Sequence, residues 1–147
     1  AYLLAVRDAL TDAGIPAGQA EDLLGDLMYR VMRRLQRPID AVAAVLHPKN
    51  PLARVRRREK IDRALFYRRP DWVMTDVDTP SGYAFDVHRC LYADYLRGRG
   101  EQGFCQRMLC AQDHRMATDH GEVLVRTGTL ASGADRCDFH YLPADDQ

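Results

Sequence analysis

The feature that most constrains this chain is a change of hydrophobic period near its midpoint. Up to about residue 69 the apolar residues recur at three- and four-residue intervals. From Trp72 onward they alternate. The first spacing puts one face of a helix on a core, and the second puts one face of a strand there. A chain that opens on helices and brings in its strands as hairpins, without repeated strand–helix alternation, builds helices against a small antiparallel sheet. It does not build a doubly wound parallel one. The expected fold class is therefore α+β.

The helical half, residues 1–69, divides at its turn residues. Tyr2 to Ala13 carries Leu3, Val6 and Leu10 and stops at Gly14-Ile-Pro16. Ala17 to Gln36 carries a long stripe from Leu23 to Leu35, and Pro38 is expected to end it or to open the next helix. Ile39 to Leu46 continues the pattern to a His47-Pro48-Lys49-Asn50-Pro51 break. Leu52 to Arg69 reads as a further helix.

In residues 70–147, Trp72 to Asp78 and Tyr83 to Arg89 form a hairpin around Thr79-Pro80-Ser81-Gly82. Helices follow at Leu91 to Arg97 and Phe104 to Thr118. Glu122 to Leu130 and Arg136 to Leu142 make a second hairpin, giving a sheet of about four strands from two hairpins. The tail Asp145-Asp146-Gln147 is expected to fray. At 147 residues the whole reads as a single domain.

Charge excludes some functions. The 21 basic and 21 acidic residues cancel, so no global field draws the chain to nucleic acid. No apolar run approaches a membrane span, and Ala1 to Leu10 reads as an amphipathic helix rather than a signal peptide. A cytoplasmic location is expected. Lys49 and Lys60 are the only lysines, which suits a GC-rich bacterial genome. From Lys49 to Arg69 nine basic residues face only Glu59 and Asp62. A nucleic-acid patch is one reading. A solvated helix face over an apolar stripe of Val55, Ile61, Leu65 and Phe66 is the preferred one. One or two of its arginines could hold a substrate carboxylate.

Strand phase sorts the polar residues of the second half. Tyr83, Phe85 and Val87 alternate with Asp86, His88 and Cys90, where Cys90 ends its strand and could point either way; Cys137, Phe139 and Tyr141 alternate with Asp138 and His140, and Val123 and Val125 with Leu124 and Arg126. With the apolar positions turned to the helices, Asp86, His88, Arg126, Asp138 and His140 collect on the opposite face. The choice there lies between a hydrolytic cluster and an ordinary solvated sheet face. On the 104–118 helix, Cys110, Asp113 and His114 share a side, which suits a thiol beside a base. Cys110 could equally be a small buried hydrophobe. The four cysteines form no Cys-x-x-Cys pair and no zinc-ligand spacing, so no cofactor is expected, although a divalent metal fits the residue types.

Phe85-Asp-Val-His-Arg-Cys90, Cys110-Ala-Gln-Asp113, Arg126-Thr-Gly-Thr-Leu130, Gly133 and Cys137-Asp-Phe139 together resemble the L-2-amino-thiazoline-4-carboxylic acid hydrolase family over residues 83–142. The family's Cys after the first strand, its Cys-x-x-Asp and its Gly-x-x-x-Cys-x-Phe ending fall on Cys90, Cys110, Asp113, Gly133, Cys137 and Phe139. A weaker likeness is to vinyl-reductase-type sensor domains with the same ending. The hydrolase resemblance implies an enzyme opening a cyclic amidine-like C–N bond, as in conversion of 2-amino-thiazoline-4-carboxylate to a carbamoyl-cysteine. It also implies a natural-product relative that closes a small nitrogen ring by intramolecular displacement. On that reading Cys110, Asp113, Cys90, His88 and Asp86 are the catalytic candidates. Arg126, Asp138, His114 and Cys137 are the substrate-binding ones. The expected partner is a small molecule carrying a carboxylate, with a homo-oligomer or a heteromeric partner subunit as further possibilities. A non-catalytic ligand-binding module with cysteines packed in its core is the competing reading.

Overall fold

The computed structural model describes residues 2–144, so the expectation for Asp145 to Gln147 lies outside the described residues. Helix α1 (Tyr2–Asp12) is followed by α2 (Ala17–Leu46), α3 (Pro51–Leu65), β1 (Trp72–Val77), β2 (Tyr83–Cys90) and α4 (Leu91–Arg97). A composite helix follows: α5 (Gln102–Cys105), a π-helical turn (Gln106–Cys110) and α6 (Ala111–Asp119). Strand β3 (Glu122–Val125), a short 3₁₀ turn (Leu130–Ser132) and β4 (Cys137–Pro143) complete the chain. The sheet is antiparallel with order β1-β2-β4-β3, and the fold is α+β. No helix is long and apolar enough to cross a membrane among the described residues.

Three features of the helical half differ from the sequence reading. Pro38 neither ends nor begins a helix: α2 runs through it for 30 residues. The missing Pro38 N–H removes one backbone bond, and Ile39 and Ala43 beyond it are buried, so packing carries the helix on. Helix α3 stops at Leu65. Its start is well marked, with the Asn50 side chain accepting from Ala53 N at 2.9 Å and Pro51 in the first turn.

The third difference is the buried face of α3. Leu65 and Phe66 are exposed, and the inward residues are Val55, Arg58, Glu59 and Asp62, spaced i, i+3, i+4, i+7. A helix buries that many charges only when they are paired or put to use. Arg58 is paired: it donates from Nη1 and Nη2 to the two carboxylate oxygens of Glu122 at 3.0 and 2.6 Å.

That bidentate pair also sets the phase of β3. Glu122 and Leu124 point inward and Val125 outward, the reverse of the expected phase. The arginine two residues after Leu124 is thereby carried to the inner side. In the centre of the sheet Phe85 lies across from Phe139, their rings stacked 4.8 Å apart. The β1–β2 turn ends at Gly82, with φ +73°. A Cβ there would stand 2.2 Å from the Tyr141 carbonyl oxygen, so a side chain would push β4 away. Leu24, Val55, Phe85, Phe104, Met108 and Tyr141 belong to one buried cluster, which joins both halves of the chain.

Candidate active site

Between the helices and the inner face of the sheet lies a cavity of about 490 Å³. Partly exposed Val31, Leu35 and Phe66 are among its lining and form its rim. One wall is the composite helix. In a regular α-helix fifth neighbours point about 140° apart, given 3.6 residues per turn. The wider π turn between Cys105 and Cys110 brings the two thiols together. The Cys105 thiol donates to the Cys110 sulfur, and this bond is the main reason that the Cys110 pKa is lowered. The same bond, with burial, pushes the Cys105 thiol up. Cys110 is thus the sulfur whose pKa its neighbour lowers.

One turn further on, Asp113 receives Arg126 Nη1 at 2.6 Å. Arg126 Nη2 donates to the Cys110 carbonyl at 2.8 Å, and its guanidinium lies over the Phe139 ring at 5.0 Å. Burial pushes Asp113 up to about 6, and Arg126 holds it from going higher. A carboxyl group near that value can take or give a proton around neutrality. Arg126 is committed to Asp113 and to the π turn. Its place is that of a strut between helix and sheet, and its side chain also lines the cavity.

Cys90 and Cys137 line the same cavity. Each sulfur accepts a backbone N–H, from Ala93 at 3.5 Å and from Leu130 at 3.2 Å. Burial nevertheless pushes Cys90 up to about 12 and Cys137 up to about 11. Near neutral pH both are thiols, poor nucleophiles beside Cys110.

Asp86, His88, Asp138, His140 and His114 are not brought to this cavity. Strand alternation sends the first four to the outer face, where each has a local partner. Asp86 pairs with Arg136 at 3.1 Å, and His88 Nε2 lies 2.8 Å from the Thr75 hydroxyl. Asp138 accepts from Thr127 N, Thr127 Oγ1 and Gly128 N. Burial alone would raise Asp138, but these bonds outweigh it and hold the group below the usual carboxylate range. His140 Nε2 contacts the Ser81 carbonyl at 2.7 Å. His114 is exposed, one residue round the helix from Asp113. The expected outer-face cluster therefore divides. Arg126 goes inward, Asp138 and His140 bond the neighbouring turns, and Asp86 and His88 pair across the outer face.

The α3 side of the cavity holds acids that the sequence reading took for countercharges on a solvated face. Glu59 and Asp62 of α3 both line the cavity. Burial pushes Glu59 up to about 7 and Asp62 up to about 6. Gln36 Nε2 donates to Asp62 Oδ2 at 3.0 Å. Tyr67 and Tyr141 are raised as well, chiefly by burial, and both feel Glu59 and Asp113. The signal available in the sequence was the Val55-Arg58-Glu59-Asp62 spacing, a complete helical stripe in which three of four residues are charged. Among the described residues, no three His, Cys, Asp or Glu side chains form a group able to hold a metal ion.

Comparison with known proteins extends the sequence resemblance into the helical half. The family model for L-2-amino-thiazoline-4-carboxylic acid hydrolase matches residues 1–141. No curated protein and no solved structure matches the chain.

Proposed function

Because the chain belongs to the L-2-amino-thiazoline-4-carboxylic acid hydrolase family, we propose that it opens a small nitrogen heterocycle at a cyclic amidine carbon, with Cys110 as nucleophile. The observation that carries this reading is the grouping on one cavity wall of a thiol with lowered pKa, a carboxyl near 6 and an arginine joining them.

The chemistry follows from those three groups. Cys110 Sγ bonds to the amidine carbon, and the ring C–N bond breaks as its nitrogen takes a proton from Asp113. Water then attacks the same carbon and gives a proton back to Asp113. The C–S bond to Cys110 breaks, leaving a carbamoyl group on the opened product. The net change is addition of one water. The Arg126 charge supports Cys110 and Asp113 in their ionised forms through this cycle. Burial of the cavity strengthens each of these interactions relative to water.

The test is direct. The protein is incubated with 2-amino-thiazoline-4-carboxylate, and carbamoyl-cysteine is followed by mass spectrometry. Product is expected from the native protein, with a loss of at least about 100-fold in Cys110→Ser and in Asp113→Asn. Folded variants that keep full turnover would refute the assignment, and absence of product from folded native protein would refute this substrate.

A further inference from the structure

The mechanism above uses one wall of the cavity and leaves the Glu59–Asp62 wall without a task. We propose that Glu59 and Asp62 form a binding site for a protonated nitrogen of the substrate, an ammonium, amidinium or guanidinium group set apart from the reacting carbon. The inference rests on the cavity being the substrate site and adds a second pole to it, one that would hold a cationic group which 2-amino-thiazoline-4-carboxylate lacks and a larger heterocyclic substrate of the same reaction carries.

The two poles are separated by β3. The pair Arg58–Glu122 marks its first residue and the pair Arg126–Asp113 the residue just past its end. Four residues of extended chain span about 13 Å. Glu59 belongs to the first pole, its Oε1 3.9 Å from Arg58 Nε. The reactive sulfur belongs to the second.

The arginines next to the first pole each hold another acceptor, although Arg63 Nε is buried without a partner. Arg58 is held in its bidentate bond to Glu122. Arg63, one residue past Asp62, donates to Asp76 Oδ1 at 2.7 Å and to the Tyr83 hydroxyl at 2.9 Å. His120 Nε2 pairs with Asp40 at 3.1 Å. Asp62 is only 3% exposed. Its Oδ1 is buried without a hydrogen-bond partner, and so is Oε1 of the adjoining Gln36. Both are acceptors. Buried acceptors are ordinarily satisfied, and leaving one unmade costs about 1–3 kcal/mol. A planar cation with N–H groups on both edges would satisfy these two atoms and offset the charge of the Asp62 carboxylate. Tyr67 and Tyr141 line the same cavity. An anionic group at this pole would meet two carboxyls instead.

Benzamidinium and its uncharged counterpart benzamide are the probes, titrated into the full chain and read by isothermal calorimetry. The expected result is binding of benzamidinium at least about tenfold tighter than of benzamide, strengthening as pH rises through 7 and Glu59 ionises. In Asp62→Asn and Glu59→Gln that preference is expected to collapse, with benzamide affinity kept within about twofold and thermal stability equal to or above native. Equal binding of the two probes to the native protein would overturn the proposal, as would a preference that survives in both variants. If the variants fail to fold, the comparison on native protein still decides. Failure of thiazoline turnover alongside an intact benzamidinium preference would count against the hydrolase reading and not against this site.

Discussion

Two walls of one cavity carry an aspartate pushed up to about 6 by burial, Asp113 on α6 and Asp62 on α3. Their partners differ. Asp113 holds a guanidinium at 2.6 Å, whereas Asp62 holds only the Gln36 amide and keeps one oxygen unpartnered. The first is a finished ion pair that links helix to sheet. The second is an unfinished one. A buried acid that already has its cation contributes to the fold, and one that lacks it is held at the expense of stability.

The comparison breaks most sharply at Arg126. Arg126→Met leaves Asp113 buried and unpaired, and a loss of about 3–5 kcal/mol is expected by urea denaturation at pH 7. Asp62→Asn, on the other wall, is expected to leave stability unchanged or raised in the same assay.

A pH series sharpens it further. Glu59, Asp62 and Asp113 have folded pKa values above their unfolded ones. The folded chain therefore keeps protons that the unfolded chain releases, and stability falls as pH rises from about 4 to about 7. For Glu59 alone the expected loss is on the order of 2–3 kcal/mol. Glu59→Gln should flatten the melting temperature over that window; an unchanged slope would count against the buried carboxyl.

The sulfur chemistry gives the next largest effect. With iodoacetamide at pH 7, Cys110 is expected to label at least about tenfold faster than Cys90 or Cys137 by peptide mass spectrometry, because of the three it alone has a lowered pKa, burial raising the other two. Equal labelling would remove the basis for choosing Cys110. The smallest effects belong to the outer face. Asp138→Asn gives up charge-assisted bonds to the Thr127–Gly128 turn, with an expected loss of about 1 kcal/mol and no change in turnover. His88→Ala is expected to stay within about 0.5 kcal/mol of native.

The elements were legible wherever their signals were local. The hairpin at Thr79 to Gly82, the α4 helix and the two-period division all follow from turn residues and alternation. The thiol wall was half legible. Cys110 and Asp113 stand at i and i+3, but the π turn that brings Cys105 to Cys110 has no composition of its own. The acid wall was misread because Leu65 and Phe66 offered a more hydrophobic stripe than the one that α3 buries. Arg126 was placed on the wrong face because Val123 and Val125 outvoted Leu124 as inward candidates.

By itself the amino-acid sequence determined the α+β class, the strand pairing within each hairpin, and the Cys-x-x-Asp and Gly-x-x-x-Cys-x-Phe spacings that carry the family resemblance. Each of these is written in residues a few positions apart. Only the tertiary structure decided which side of β3 faces inward and that α3 buries charge. Both depend on Arg58 meeting Glu122 across 64 residues of chain. Burial there, and not residue type, also raises Glu59 and Asp62 toward neutrality. Desolvation is a property of the assembled cavity, and no local pattern of residues encodes it.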